Sequence, residues 1–142
     1  MLNEPKWDLV FDVLLYLKDN SELDIIEFKK FIDDKIDALK ILESHNLDFV
    51  KLLVFYIDEK VLNILNTNYS KWSLLQVEYF NINTGGQLFF ELIDNNKCSE
   101  LQKLALLLLK LGFKGRFFEN RDRIAGYITS LQAICTNPSL LL

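Results

Sequence analysis

An all-α fold is what this sequence predicts, and three observations predict it. Apolar residues recur every three or four positions through successive segments, the spacing that gathers them on one face of a helix. Clusters of turn and cap residues interrupt those segments at Asp19-Asn20-Ser21, His45-Asn46, Asn66 to Ser70, Asp94-Asn95-Asn96 and Gly112. The one stretch with strand-like alternation, Gln76 to Ile82, has no partner elsewhere in the chain, and a lone short strand is not stable. The 142 residues suit one domain at roughly 150 residues per domain. A composition of 50% hydrophobic and 25% charged residues, with 5 Gly and 2 Pro, excludes disordered and collagen-like sequence.

The elements follow in order. Trp7, Val10, Phe11, Leu14 and Leu17 form the stripe of a first helix, and Asp19-Asn20-Ser21 supply the turn and N-cap chemistry before the second. From Glu22 to Glu43, Ile25, Phe28, Ile32, Ile36 and Leu39 make one apolar face, opposite charges spaced to pair across single turns (Glu27 with Lys30, Asp37 with Lys40). A third helix runs from about Leu47 to Leu65. Its stripe of Val50, Val54, Ile57, Val61 and Ile64 is backed by Leu52, Phe55 and Leu62, and a helix apolar nearly all round belongs in the middle of its domain. Ser70 is a candidate N-cap for a short segment beginning at Lys71-Trp72, and Gln76 to Ile82 reads as helix end plus loop. Gly85-Gly86 lead into the amphipathic segment Gln87 to Ile93. The next helix begins near Ser99 and stops at Gly112, a good residue beyond a helix end because it tolerates a left-handed backbone; Leu106, Leu107 and Leu109 on its second side predict another central helix. After a loop from Phe113 to Asn120, a last helix carries Ile124, Tyr127, Ile128, Leu131, Ile134 and Cys135 and ends at Asn137-Pro138. The count is six to eight helices and no sheet.

Several chemistries are missing. Sixteen basic residues against 20 acidic give a net charge of −4, no attraction for nucleic-acid phosphates. Cys98 and Cys135 form neither a redox pair nor a zinc spacing and read as small buried hydrophobes. The single histidine, His45, falls in a turn with no nucleophile motif nearby, and neither Gly85-Gly86 nor Gly112 to Gly115 matches a phosphate cradle. Lys114, Arg116, Arg121 and Arg123 surround Phe117 and Phe118, but Glu119 and Asp122 halve the charge, and a loop gripping the protein's own groups is the expectation. Met1-Leu2-Asn3-Glu4-Pro5 lacks the basic and then apolar regions expected of a signal peptide. The aliphatic run Leu104 to Leu109 is far short of the roughly 20 residues that span a bilayer.

Asp58-Glu59 is the anomaly. Asp58 flanks the main stripe of the third helix, and Glu59 shares a side with Leu52, Phe55 and Leu62; a carboxylate there is costly unless paired or left at the mouth of a groove. An internal salt bridge to the Arg116 loop, docking of a partner's cation, and acid-base catalysis by a small hydrolase are all open to it. Catalysis suffers because neighbouring helix residues point about 100° apart.

The order of motifs is informative: Phe55-Tyr56-Ile57-Asp58-Glu59 on a long helix, Trp72, Gly85-Gly86 before Phe89-Phe90, then Gly112-Phe113-Lys114-Gly115-Arg116-Phe117. This succession, across residues 47 to 134, resembles the cytoplasmic domain of the DotU/TssL/IcmH family of type VI secretion systems, which type IVb relatives share. Ile57 stands where the family pattern has leucine, and the segment 65–72 is Asn-rich without the proline often found there. The resemblance implies two packed helical bundles and no enzymatic activity or cofactor. It implies a domain on the cytoplasmic face of the bacterial inner membrane, with a transmembrane helix expected after residue 142 through which a homodimer could form. Its implied partners are an IcmF/TssM-like membrane protein and baseplate subunits, with neither nucleic acid nor a small-molecule substrate. Asp58 and Glu59 match the family's acidic pair, implied to bind a partner. Trp72, Gly85, Gly86, Phe89, Phe90, Gly112, Phe113, Gly115 and Arg116 match its structural motif. A type IVb accessory that stabilises an IcmF-like protein and a free-standing helical adaptor are the alternatives.

Overall fold

A computed structural model describes residues 5–19 and 22–136. Among them are seven α-helices and no strand: α1 Pro5–Asp19, α2 Ile25–Leu42, α3 Leu47–Leu65, α4 Leu75–Phe80, α5 Gly85–Asn95, α6 Ser99–Lys110 and α7 Arg121–Thr136, with 3-10 turns at Asn66–Lys71 and Gly115–Phe117. The predicted all-α class holds, as do the bounds of α3.

α3 is the axis. Ten of its residues, from Phe49 to Val61, are buried, and it packs against α2, the Asn66–Lys71 turn, α4, α5 and α6. Around it, α1 packs on α2, and α5 and α7 pack on α6. Trp7 ties α1 to α3 and α6. Its ring meets Phe49 edge-on at 5.5 Å, and its Nε1–H donates to Glu100 Oε2 at 2.7 Å. Burial opposes ionisation of the Glu100 carboxyl, but the bond from Trp7 and the Lys103 and Lys6 ammoniums outweigh it, so the group is held below the usual carboxylate range.

Local starts and stops differ from the sequence expectation in instructive ways. The observed cap of α2 is Asp24, whose Oδ1 accepts from Ile26 N–H and Glu27 N–H, both at 3.1 Å; Asn20 and Ser21 lie outside the described residues. Ion pairs on α2 run through Lys29, to Asp33 and across to Glu78, each at 2.9 Å. Ser70 caps no helix; it sits inside the 3-10 turn, and the next helix starts five residues later at Leu75. The stretch from Gln76 is indeed helical and ends at Asn81, in the left-handed conformation that asparagine tolerates. Cys98 is exposed and Cys135 only half-buried, because Cys98 lies in the turn before α6 and α7 is thinly covered. Leu106 and Leu107 are half-buried, so α6 is not enclosed all round as its composition suggests.

On α7 only Leu131 of the predicted stripe is fully buried. Gly126 occupies this helix with nothing within 4 Å of where a Cβ would stand. Gly126→Ala is therefore expected to stabilise the protein by about 0.5–1 kcal/mol through backbone entropy alone, read as a raised urea midpoint.

Candidate functional site

Six of the sequence-predicted residues, Asp58, Glu59, Gly85, Gly86, Phe113 and Gly115, line one groove, whereas Trp72, Phe89, Phe90, Gly112 and Arg116 do not. The groove holds about 340 Å³ and lies between the end of α3, the start of α4, the start of α5 and the turn after α6. Phe55, Leu62 and Leu74 give it apolar walls, and the exposed Asn63 and Asn83 stand at its edge.

Asp58 builds one wall. It is 1% exposed, and each of its oxygens accepts two hydrogen bonds. Oδ1 receives Trp72 Nε1–H at 2.9 Å and Leu75 N–H at 2.8 Å. Oδ2 receives Gln76 N–H at 3.0 Å and the Gln76 side-chain amide at 3.1 Å. Leu75 and Gln76 open α4, where no local side chain caps the free N–H groups. Asp58 is thus the cap of α4, supplied from another helix, and its negative charge lies at the favourable end of that helix. Burial pushes its carboxyl up from the ordinary value, and the four donors, led by Gln76 N–H, work in the opposite direction.

Glu59 builds the other wall. Its Oε2 accepts from Lys114 N–H at 2.9 Å and its Oε1 from Gly115 N–H at 2.8 Å. The expected link between the pair and the Arg116 loop exists, but it runs to backbone amides rather than to a guanidinium. Arg116 instead lies over the Phe117 ring at 4.7 Å, with Arg123 over the same ring at 5.0 Å. The wide angle between adjacent helical side chains, which argues against shared catalysis, is what lets each acid take a different segment.

Gln76 is the residue sequence reasoning missed. Besides its two bonds to Asp58, its Oε1 accepts Gly85 N–H at 2.9 Å, so it joins α3, α4 and the first residue of α5. Its signal in the sequence is a lone amide within the apolar run Leu74-Leu75-Gln76-Val77. The glycines serve close approach. A Cβ on Gly85 would stand 2.6 Å from the Phe55 ring and 2.8 Å from Gln76 Oε1, and one on Gly86 would stand 3.2 Å from Gly115 Cα. Gly112, at φ +108°, follows the end of α6 as expected.

Trp72, Phe89, Phe90 and Phe113 are buried. Phe89 and Phe113 stack at 4.0 Å, and Phe90 meets Phe117 at 4.6 Å and Tyr127 at 4.9 Å, so Phe89, Phe90 and Phe113 bind α5, the turn and α7 together. His45 is exposed in the turn after α2. Among the described residues, no cluster of three or more His, Cys, Asp and Glu side chains could hold a metal ion, and no helix is long and apolar enough to cross a membrane.

Fold and site together define an all-helical domain whose polar groups at the groove serve as hydrogen-bonded architecture. The chain belongs to the DotU family: the profile described as type VI secretion system protein DotU matches residues 19–138. It is a secretion-system component by that membership. Among solved structures it is similar to DotU from Francisella novicida, with 23% identity, 94% of this chain and 99% of that chain covered, and a TM-score of 0.82. No curated protein matches the sequence.

Proposed function

We propose that this is a non-catalytic docking module of the type VI secretion inner-membrane complex, and that the groove framed by Asp58 and Glu59 receives a cytoplasmic segment of an IcmF/TssM-like membrane protein. Recruitment of baseplate subunits at the cytoplasmic face of the membrane is part of the same reading, as is a membrane anchor outside this domain. One observation carries it: Asp58, Glu59, Gly85, Gly86, Phe113 and Gly115, from segments far apart in the chain, line a single groove whose walls are each tied to α3 by a carboxylate. Asp58 and Glu59 contribute to docking by fixing those walls. A preformed groove avoids the ordering cost that a floppy one would add to binding.

Asn63 and Asn83 offer the test, because both are exposed at the groove edge. With the purified cytoplasmic region of the IcmF-like protein from the same gene cluster as bait, Asn63→Lys/Asn83→Lys is expected to lose capture while its circular dichroism and melting temperature match the wild type. Equal capture of wild type and variant would show that the groove is not the docking site.

A further inference from the structure

We propose that a second, separate groove between α1 and α6 docks an amphipathic helix of a partner protein, one that carries acidic residues along its edges. Two cavities, of about 220 Å³ and about 390 Å³, follow each other along both helices and share Phe11 and Leu107 as lining. The first reaches from Trp7 to Phe11 on α1 and from Lys103 to Leu107 on α6. The second continues to Leu14, Leu15 and Lys18 on α1 and to Leu111 beyond α6, with Tyr56 and Lys60 of α3 as its floor and flank. Leu15 is 55% exposed and Leu111 45%, so the seam between the helices leaves apolar surface uncovered. From Trp7 to Lys18 the groove runs about 16 Å at the helical rise, the length of three turns of a docked helix with anchors at i, i+3 or i+4, and i+7.

Charge identifies the occupant. Lys18 and Lys60 stand at one end and have no ion pair among the described residues. Lys103 stands at the other, shared with Glu100 at 3.3 Å. On a chain of net charge −4, this groove has a cationic rim, and complementary potential selects an acidic ligand and rejects a basic one. The two cations at the Lys18 and Lys60 end, against the paired Lys103 and Glu100 at the other, suit a helix that places acidic residues at that end.

The probe is a fluorescein-labelled peptide of about 18 residues, with leucines at the helical anchor positions and glutamates elsewhere, compared with the same peptide carrying lysines for glutamates. Fluorescence anisotropy is expected to show binding of the acidic peptide at least about tenfold tighter than the basic one. Lys18→Glu/Lys60→Glu should reverse that order, and Leu15→Ser should weaken both. Asn63→Lys/Asn83→Lys should leave the peptide affinity unchanged, which separates this face from the groove beside Asp58. Equal affinity for the two peptides, or a double lysine variant that binds like wild type, would overturn the proposal. So would lysine-dependent sedimentation with phosphatidylglycerol vesicles in the absence of peptide binding, which would make the face a membrane contact. Lys18→Gln/Lys60→Gln, expected to abolish the discrimination, serves if the charge-reversed variant loses its helical signal.

Discussion

Asp58→Asn is expected to destabilise the protein by about 3–4 kcal/mol, a fall of roughly 10 °C in melting temperature for a domain of this size. The reasoning is geometric. All four groups around the carboxylate are donors, two on each oxygen. An amide keeps one accepting oxygen and presents an NH2 where the other stood, so two buried N–H groups lose their acceptor and face a donor instead. Each stranded donor costs about 1–3 kcal/mol. Rotating the amide only changes which pair is stranded: Trp72 Nε1–H with Leu75 N–H, or the two donors of Gln76. Either way α4 loses part of the cap that holds its first turn against α3. Urea and thermal unfolding of the two proteins measure the effect. A variant that melts within about 1 kcal/mol of wild type yet no longer captures the proposed membrane partner would make Asp58 a contact residue and defeat the cap assignment.

How far this was legible in the sequence depends on the distance over which each structural cause acts. α3 was legible to its terminal residues, because its apolar positions follow strict helical spacing and local turn residues bound it. The acidic pair was legible as an anomaly, since carboxylates within so apolar a helix require partners. Which partners they take was not legible. The cap of α4 lies 17 residues upstream of Leu75, and Glu59 meets a turn 55 and 56 positions away; cap signals read from sequence are local, so Ser70 was favoured over a residue on another helix. Gln76 escaped notice for the same reason, its three bonds all running to residues outside α4. The exposure of Cys98 and of the second side of α6 was not legible, because hydrophobic composition reports a tendency to be buried, whereas Leu107 and Cys98 lie where no further helix among the described residues covers them. The family pattern of glycines and aromatics was legible as a pattern, and the structure supplies its physical content: a backbone junction over a stacked aromatic layer.

That junction makes Gly115→Ala the other substitution with a large expected effect, about 3–5 kcal/mol of destabilisation. Gly115 has φ +52°, and alanine in the left-handed region carries about 1–2 kcal/mol of backbone strain. Space adds more. The new Cβ would stand 2.5 Å from the Gly86 carbonyl oxygen, 2.9 Å from the Phe113 ring and 3.1 Å from Gly86 Cα. Two of these three neighbours are backbone and have no rotamer to change. The turn must back away from α5, but Glu59 holds it through Lys114 N–H and Gly115 N–H, and Phe113 is stacked on Phe89 at 4.0 Å. Retreat therefore weakens the carboxylate bonds and the ring contact together. Gly112→Ala is the comparison without a clash, since Gly112 has positive φ, +108°, farther from the left-handed region, but nothing lies within 4 Å of its missing Cβ; it is expected to lose about 1–3 kcal/mol. Thermal melts of the two variants side by side decide the matter. If Gly115→Ala were no worse than Gly112→Ala, close packing between α5 and the turn would not be what the glycine serves. If it is worse by the expected margin, capture of the proposed membrane partner should fall as well at temperatures where the variant is still folded, because the wall that moves is a wall of the groove.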